Sequence, residues 1–276
     1  MSMSLAAEIA KEFSPDLLPA IIEQLSPEEQ AELYAHLEAE QHDDIITRCS
    51  ERVVAHDRGP MFWLRNWTKT ENYHWEKQGL EPKAPFPYKP YPPELLASYN
   101  VPADKLDWDY LDWGMSFLLL SYETGKPLNL PKTREMITSW LVMGYIAWST
   151  QFFPNIQALC QSEKDEKAQG LVKYANILHD NQPEWMKARF PLRRGDSGTA
   201  HKIERANGSE VIGAPQGERQ VASYHPTIYF NDESAHQPAW KSTVDIVRPV
   251  AKQIISVSSA AFSDFGIACE QPTGAV

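Results

Sequence analysis

From Leu128 onward, short apolar runs alternate with longer stretches whose large apolar residues recur at helical spacing. This alternation narrows the fold more than any other feature. "PLNL" reads as a strand and "TSWLVMGYIAWSTQFF" as a helix. "NIQALCQS" is a second strand and "EKDEKAQGLVKYANILHD" a second helix. "HKIERANGSEVIGAP" holds two strand-like runs around Asn207 and Gly208, a strong hairpin signal. "TIYFNDE" is a strand that ends in acids, "STVDIVRPVAKQ" is partly helical, and "IISVSS" is a final strand. Strands that alternate with helices predict an α/β fold, with a mainly parallel sheet sandwiched by helices. No repeat and no low-complexity segment interrupts the pattern.

The 276 residues suit one large domain with an appendage. Three parts are expected: a helical acidic segment at 1–58, an aromatic and proline-rich arm with lead-in helices at 59–127, and the core at 128–276. In the first, "SPDLLPAIIEQL" places Ser14 as a helix cap before Pro15, and "SPEEQAELYAHLEAEQ" repeats the device at Ser26 and Pro27. This helical pair shields another part or docks to a partner. In the second, Pro82, Pro85, Pro87, Pro90, Pro92 and Pro93 forbid a long helix or a central strand. Its aromatics serve as anchors for an extended arm over the core, or as a platform for a planar ring.

Charge is unevenly spread. Residues 1–60 carry 13 acidic against 4 basic residues, and the remainder 24 against 22, for a net charge of −11. The acidity therefore belongs to the N-terminal segment, and a local basic surface elsewhere stays open. Cys49, Cys160 and Cys269 lie far apart without ligand-like spacing, which argues against a zinc site or disulfide framework and for a reducing compartment. No run is long and apolar enough to span a membrane.

Three stretches place reactive side chains at the C-terminal ends of strands, where open α/β sheets bind ligands. "LNLPKTREMITSW" has the rhythm of a phosphate-binding loop without its usual glycine and lysine. Laid on G-x-x-x-x-G-K-[ST], Lys132 takes the first glycine's place, Ile137 the second's and Thr138 the lysine's, while Ser139 keeps the hydroxyl. A phosphoryl-transfer site needs positive charge near the β- and γ-phosphates, but not from one fixed backbone position. Lys132 has the stem to reach them, Arg134 is a second cation, and the helix N-terminus adds backbone N–H groups. Ile137 does not readily take positive φ, so this loop is expected to close differently. The second stretch is "TIYFNDES": Asp232 would hold Mg²⁺ through water and Glu233 would polarise an attacking water. The third is "IISVSSA", whose hydroxyls at a neighbouring strand tip can sense a γ-phosphate. Each also has a plain structural reading, as an ordinary turn or a strand meeting solvent.

Taken together, these residues resemble the large subunits of tailed-bacteriophage terminases, the ATPases that drive DNA into procapsids. "LPKTREMITSWLVMGYIAW" resembles that family's deviant phosphate loop, and "ALCQSEKDEKAQGLVKYANILHDNQPEWMK" its next strand, turn and helix. "ANGSEVIGAPQGERQVASYHPTIYFNDESAHQP" is similar to the stretch running through the acidic pair, and "ISVSSAAFSDFG" to the coupling motif. "PFPYKPYPPELL" resembles the arm before the core. The resemblance spans about Met61 to Phe265. It implies a P-loop NTPase-like fold that uses ATP and Mg²⁺. Lys132, with Thr133, Arg134 and Thr138, would cradle the phosphates, and Ser139 would be the Mg²⁺-side hydroxyl. Asp232 would order the metal, Glu233 would be the catalytic base, and Ser258, Ser259 and Ala260 would couple hydrolysis to motion. Arg219 would be a sensor or finger. The implied partners are duplex DNA, further copies in a ring on the portal protein, and a terminase small subunit. The implied location is the host cell cytoplasm. The family's nuclease domain does not fit after residue 265, so a separately encoded nuclease chain is expected. A non-catalytic module that keeps the fold is the alternative.

Overall fold

The computed structural model describes residues 25–71, 81–88, 105, 107–133, 136–193, 200–259, 261 and 263–270. The Ser14 cap, much of the proline arm, Arg134 and Ala260 lie outside them. The chain divides into two compact units, residues 1–49 and 50–276. The first contains nearly all of helix α1 (Pro27–Ser50), which opens with acids at Glu28 and Glu29 where the helix dipole favours them. The second begins with α2 (Gly59–Trp67) and a short antiparallel pair, β1 (Thr70–Glu71) and β2 (Lys83–Ala84). Met61, Phe62, Trp63 and Leu64 of α2 are buried. The rest of this unit is α3 (Tyr110–Thr124), β3 (Leu128–Lys132), α4 (Thr138–Phe152), β4 (Gln157–Ser162), α5 (Asp165–Asp180), α6 (Glu184–Arg189), β5 (Lys202–Glu204), β6 (Glu210–Pro215), α7 (Glu218–Val221), β7 (Ile228–Asp232), α8 (Trp240–Val247), β8 (Gln253–Ser259) and α9 (Asp264–Glu270).

Strands β3 to β8 form one sheet in the order β3-β8-β7-β4-β6-β5. All neighbours are parallel except the β5–β6 hairpin. The expected hairpin turn is present, and Gly208 takes the left-handed backbone (φ 84) that the turn requires. Five parallel strands therefore end on one edge, at Lys132, Ser259, Asp232, Ser162 and Pro215.

Helices cover both faces. On one, α4 lies between α3, α5 and the strands and is buried almost all round, which explains why it is apolar on every side. Met143 of α4 touches Cys160 of β4 (Sδ–Sγ 3.7 Å). Strand β6 approaches α5 so closely that a Cβ on Gly213 would sit 2.8 Å from the Ala168 carbonyl. On the other face, Leu159, Tyr229 and Ile254 of the sheet pack with Trp240, Val244 and Val247 of α8 and Phe265 of α9. Helix α3 has sharp stops at both ends. Asp109 and Asp112 form a reciprocal capping box, and Gly125 closes the C-terminus in the left-handed region.

Two local differences from the sequence reading concern the site. Strand β3 runs on through Pro131 to Lys132, so Lys132 ends a strand rather than opening a loop. Proline is tolerated there because β3 is the sheet's edge strand. Helices α6 and α9, which the alternation did not announce, are each under eight residues.

Candidate functional site

The order of strands sets the geometry. Strand β8 separates β3 from β7, so the strand bearing Lys132 and the strand bearing the acids flank the hydroxyl-tipped strand. Lys132 is in register with Ser259, and Asp232 with Val257. Helix α4 packs across these strands and brings its first turn over the tip of β7. Ser139, the second residue of α4, donates from Oγ to Asp232 Oδ1 at 2.8 Å. Lys132 Nζ lies 3.6 Å from Glu233 Oε1, and both side chains are mostly buried. Residues about 100 positions apart thus meet as a hydroxyl–carboxylate pair beside an ammonium–carboxylate pair.

The turn into α4 overturns one expectation. Ile137 itself adopts the left-handed conformation (φ 48, ψ 24) at the place of the phosphate-loop pattern's second glycine. A β-branched residue there costs about 1–3 kcal/mol. The cost is borne because α4, anchored on three sides, dictates the approach of the chain. Glu233 also has positive φ (56), so the chain turns sharply as β7 ends.

Electrostatics follow from burial. Asp232 is 8% exposed. Desolvation raises its pKa, against the pull of the Ser139 hydrogen bond and the Lys132 charge. Lys167, in the first turn of α5, pairs with Glu163 (2.9 Å), and its ammonium is further favoured by Glu233 and Asp232. His236 Nε2 lies 3.3 Å from Ser259 Oγ and 3.9 Å from Glu233 Oε2. The buried hydroxyls of Ser162 and Ser258 have no hydrogen-bond partner among the described residues.

Of the residues expected to act, Lys132, Ser139, Asp232 and Glu233 come together, with Ser258 and Ser259 on the strand between them. Thr138 begins α4 and Thr133 is exposed beyond β3. Arg219 does not join the cluster. It lies exposed on α7, after β6, which is two strands from β7 or roughly 10 Å at ordinary strand spacing. Sequence reasoning missed Lys167, His236 and a buried amide network centred on Gln161 and Asn231. The polar Gln161 inside the otherwise apolar "ALCQ" was the available signal.

No protein-family model matches this chain, and no curated protein matches it in sequence. Its structural neighbours are phage large terminases. It is similar to the HK97 bacteriophage large terminase over 56% of this chain and 34% of that one, with 14% identity and a TM-score of 0.46. It is similar to the ATPase domain of the Thermus phage P74-26 large terminase over 71% of this chain and 72% of that one, with 12% identity and a TM-score of 0.37. An arginine-to-alanine variant of that domain matches at 14% identity, with a TM-score of 0.34. The chain spans about a third of the length of the HK97 protein. Among the described residues, no helix is long and apolar enough to cross a membrane.

Proposed function

We propose that this chain hydrolyses ATP as the motor part of a DNA-packaging terminase. The observation that carries the reading is the convergence of Lys132, Ser139, Asp232 and Glu233 at the C-terminal edge of a parallel sheet. A hydroxyl and a carboxylate 2.8 Å apart are hard oxygen donors of the kind Mg²⁺ takes alongside water and phosphate. Ser139 and Asp232 would hold that ion. When bound, it would neutralise charge on the β- and γ-phosphates.

The protein's own groups do the rest. Lys132 faces Glu233 at 3.6 Å, so the two charges offset one another. A γ-phosphate is the stronger attraction for the ammonium and draws it away. Glu233 is then left as a carboxylate able to accept a proton from water in line with the phosphorus. Substrate thus releases the base that acts on it. Arg219 is exposed, and in a ring of copies it would act on a neighbouring subunit's nucleotide. Duplex DNA, the portal and a small subunit are the partners that this reading entails. A second reading, nucleotide binding without turnover, draws on Ile137, a β-branched residue held at positive φ where the phosphate-loop pattern has glycine.

Isothermal titration with Mg²⁺ and a non-hydrolysable ATP analogue tests the site. The wild type should bind, and a Lys132→Ala, Ser139→Ala double variant should not. Equal binding would remove this turn from the site. Hydrolysis by the wild type separates the two readings. For Arg219, mixing Arg219→Ala with Glu233→Gln subunits under assembling conditions should restore part of the activity each lacks alone.

A further inference from the structure

Behind the acidic pair, on the sheet face covered by α8, lies a closed set of polar side chains. Gln161 of β4 is fully buried. Its Nε2 donates to the carbonyls of Pro215 (2.9 Å) and Gly217 (3.3 Å), in the turn that leads into α7 and Arg219. Its Oε1 accepts from Tyr229 Oη (2.6 Å) and Asn231 Nδ2 (3.2 Å) on β7. The amide's orientation is fixed chemically, because two carbonyls can only accept and so must face the NH₂. Asn231 Nδ2 also reaches Tyr229 Oη (2.9 Å) and Gln237 Oε1 (3.1 Å). Ser234 Oγ donates to Asn231 Oδ1 (2.8 Å), and Gln237 Nε2 to the Asp232 carbonyl (2.7 Å). Burial pushes the Tyr229 phenol up, so it stays a donor.

We infer that Gln161 is a positioning residue that ties the Arg219-bearing turn to the Asp232–Glu233 tip, so that a change at either is felt at the other. This inference rests on the hydrolytic reading of the site. Strand β4 lies between β6 and β7, and Gln161 is the side chain on it that bonds both. An apolar residue would take a donor from two carbonyls and leave the Tyr229 O–H without the acceptor it has now. The network lies buried between the sheet and α8, where low dielectric strengthens its bonds and makes losing one costly.

The test uses the full chain with Gln161→Leu and Gln161→Glu, and reads amide hydrogen exchange at residues 217–221 alongside steady-state kinetics. Without nucleotide, Gln161→Leu should speed exchange in that turn at least about tenfold and leave β3 and β8 unchanged. Mg²⁺ with a non-hydrolysable ATP analogue should slow the turn's exchange in the wild type but not in Gln161→Leu. kcat should fall while KM stays within about threefold. Gln161→Glu keeps the acceptor and loses the donor. Relative to the wild type at the same pH, it should regain activity and protection as pH falls and its carboxyl is protonated, which a merely structural role would not produce. Exchange at 217–221 unchanged in both variants overturns the inference. So does an altered turn with kcat intact. A wild type that binds no nucleotide sinks the hydrolytic reading instead, and exchange in the nucleotide-free protein then decides on the tie alone. Thermal melting separates loss of the tie from loss of the fold.

Discussion

Helix α4 ends in two different environments. At its C-terminus the β5–β6 hairpin supplies partners for the last carbonyls. Asn207 Nδ2 donates to the carbonyls of Thr150, Gln151 and Phe153 (2.9, 3.2 and 3.2 Å), and Ser209 Oγ donates to Phe153 O at 2.8 Å. The buried guanidinium of Arg205 reaches Thr150 Oγ, Gln151 Oε1 and the Ala147 carbonyl, complementing the negative end of the helix dipole. At the N-terminus no side chain caps the helix, the preceding residue is strained, and the first turn faces a buried carboxylate. One end is closed by its own chain, while the other has no side-chain cap hydrogen bond among the described residues.

The largest effect expected from breaking this contrast is at the open end. Glu233→Gln should lower turnover by about 10²–10⁴-fold, the usual worth of a general base, and leave nucleotide affinity intact. Unchanged hydrolysis would mean that Glu233 only ends a strand. At the closed end, Asn207→Ala should cost about 2 kcal/mol in denaturant melts, because three carbonyls lose a shared donor. Nucleotide affinity should not move, and a loss of binding there would erase the distinction between the ends.

A third expectation uses the raised pKa of Asp232. The protonated acid is a poor metal ligand and Mg²⁺ displaces the proton, so affinity should rise with pH below the folded pKa, by about tenfold per unit at most, and level off above it. For stability the sign is opposite. The folded state holds this proton more tightly than the unfolded chain, so this carboxyl favours folding at low pH, and that contribution fades as pH rises through the folded pKa. Titration at several pH values checks the first, and flat Mg²⁺ affinity would remove Asp232 from the metal. The smallest effect is at Ile137. Glycine there should change stability by less than about 1 kcal/mol, since relief of strain offsets lost burial. The same change at buried Ile146, in the middle of α4, should cost more than about 3 kcal/mol.

The alternation of runs from Leu128 was enough to read the parallel sheet, its two helical layers, the hairpin at Gly208 and the strands that end near Asp232 and Ser259, while the first strand runs two residues further, to Lys132, than its apolar run announced. These are local signals: apolar periodicity and turn chemistry act over a few residues, and each strand's face is fixed by its own pattern. The helix α6, below two turns, gave no periodicity to read. Gln161 stood out as a polar residue in an apolar run, but its partners could not be read, because they lie on other strands and in the turns after them.

By itself, the sequence determined which side chains with chemistry stand at strand ends. Only the tertiary structure decided which of them meet. The order β3-β8-β7-β4-β6 brings Lys132 to Glu233 and Ser139 to Asp232, and leaves Arg219 two strands away from β7. It also decided the conformation of Ile137, whose own preference opposes positive φ. The physical reason is cooperative packing. A helix buried on all sides can impose a strained residue at its entrance, and no local rule records a constraint that arrives through the whole core.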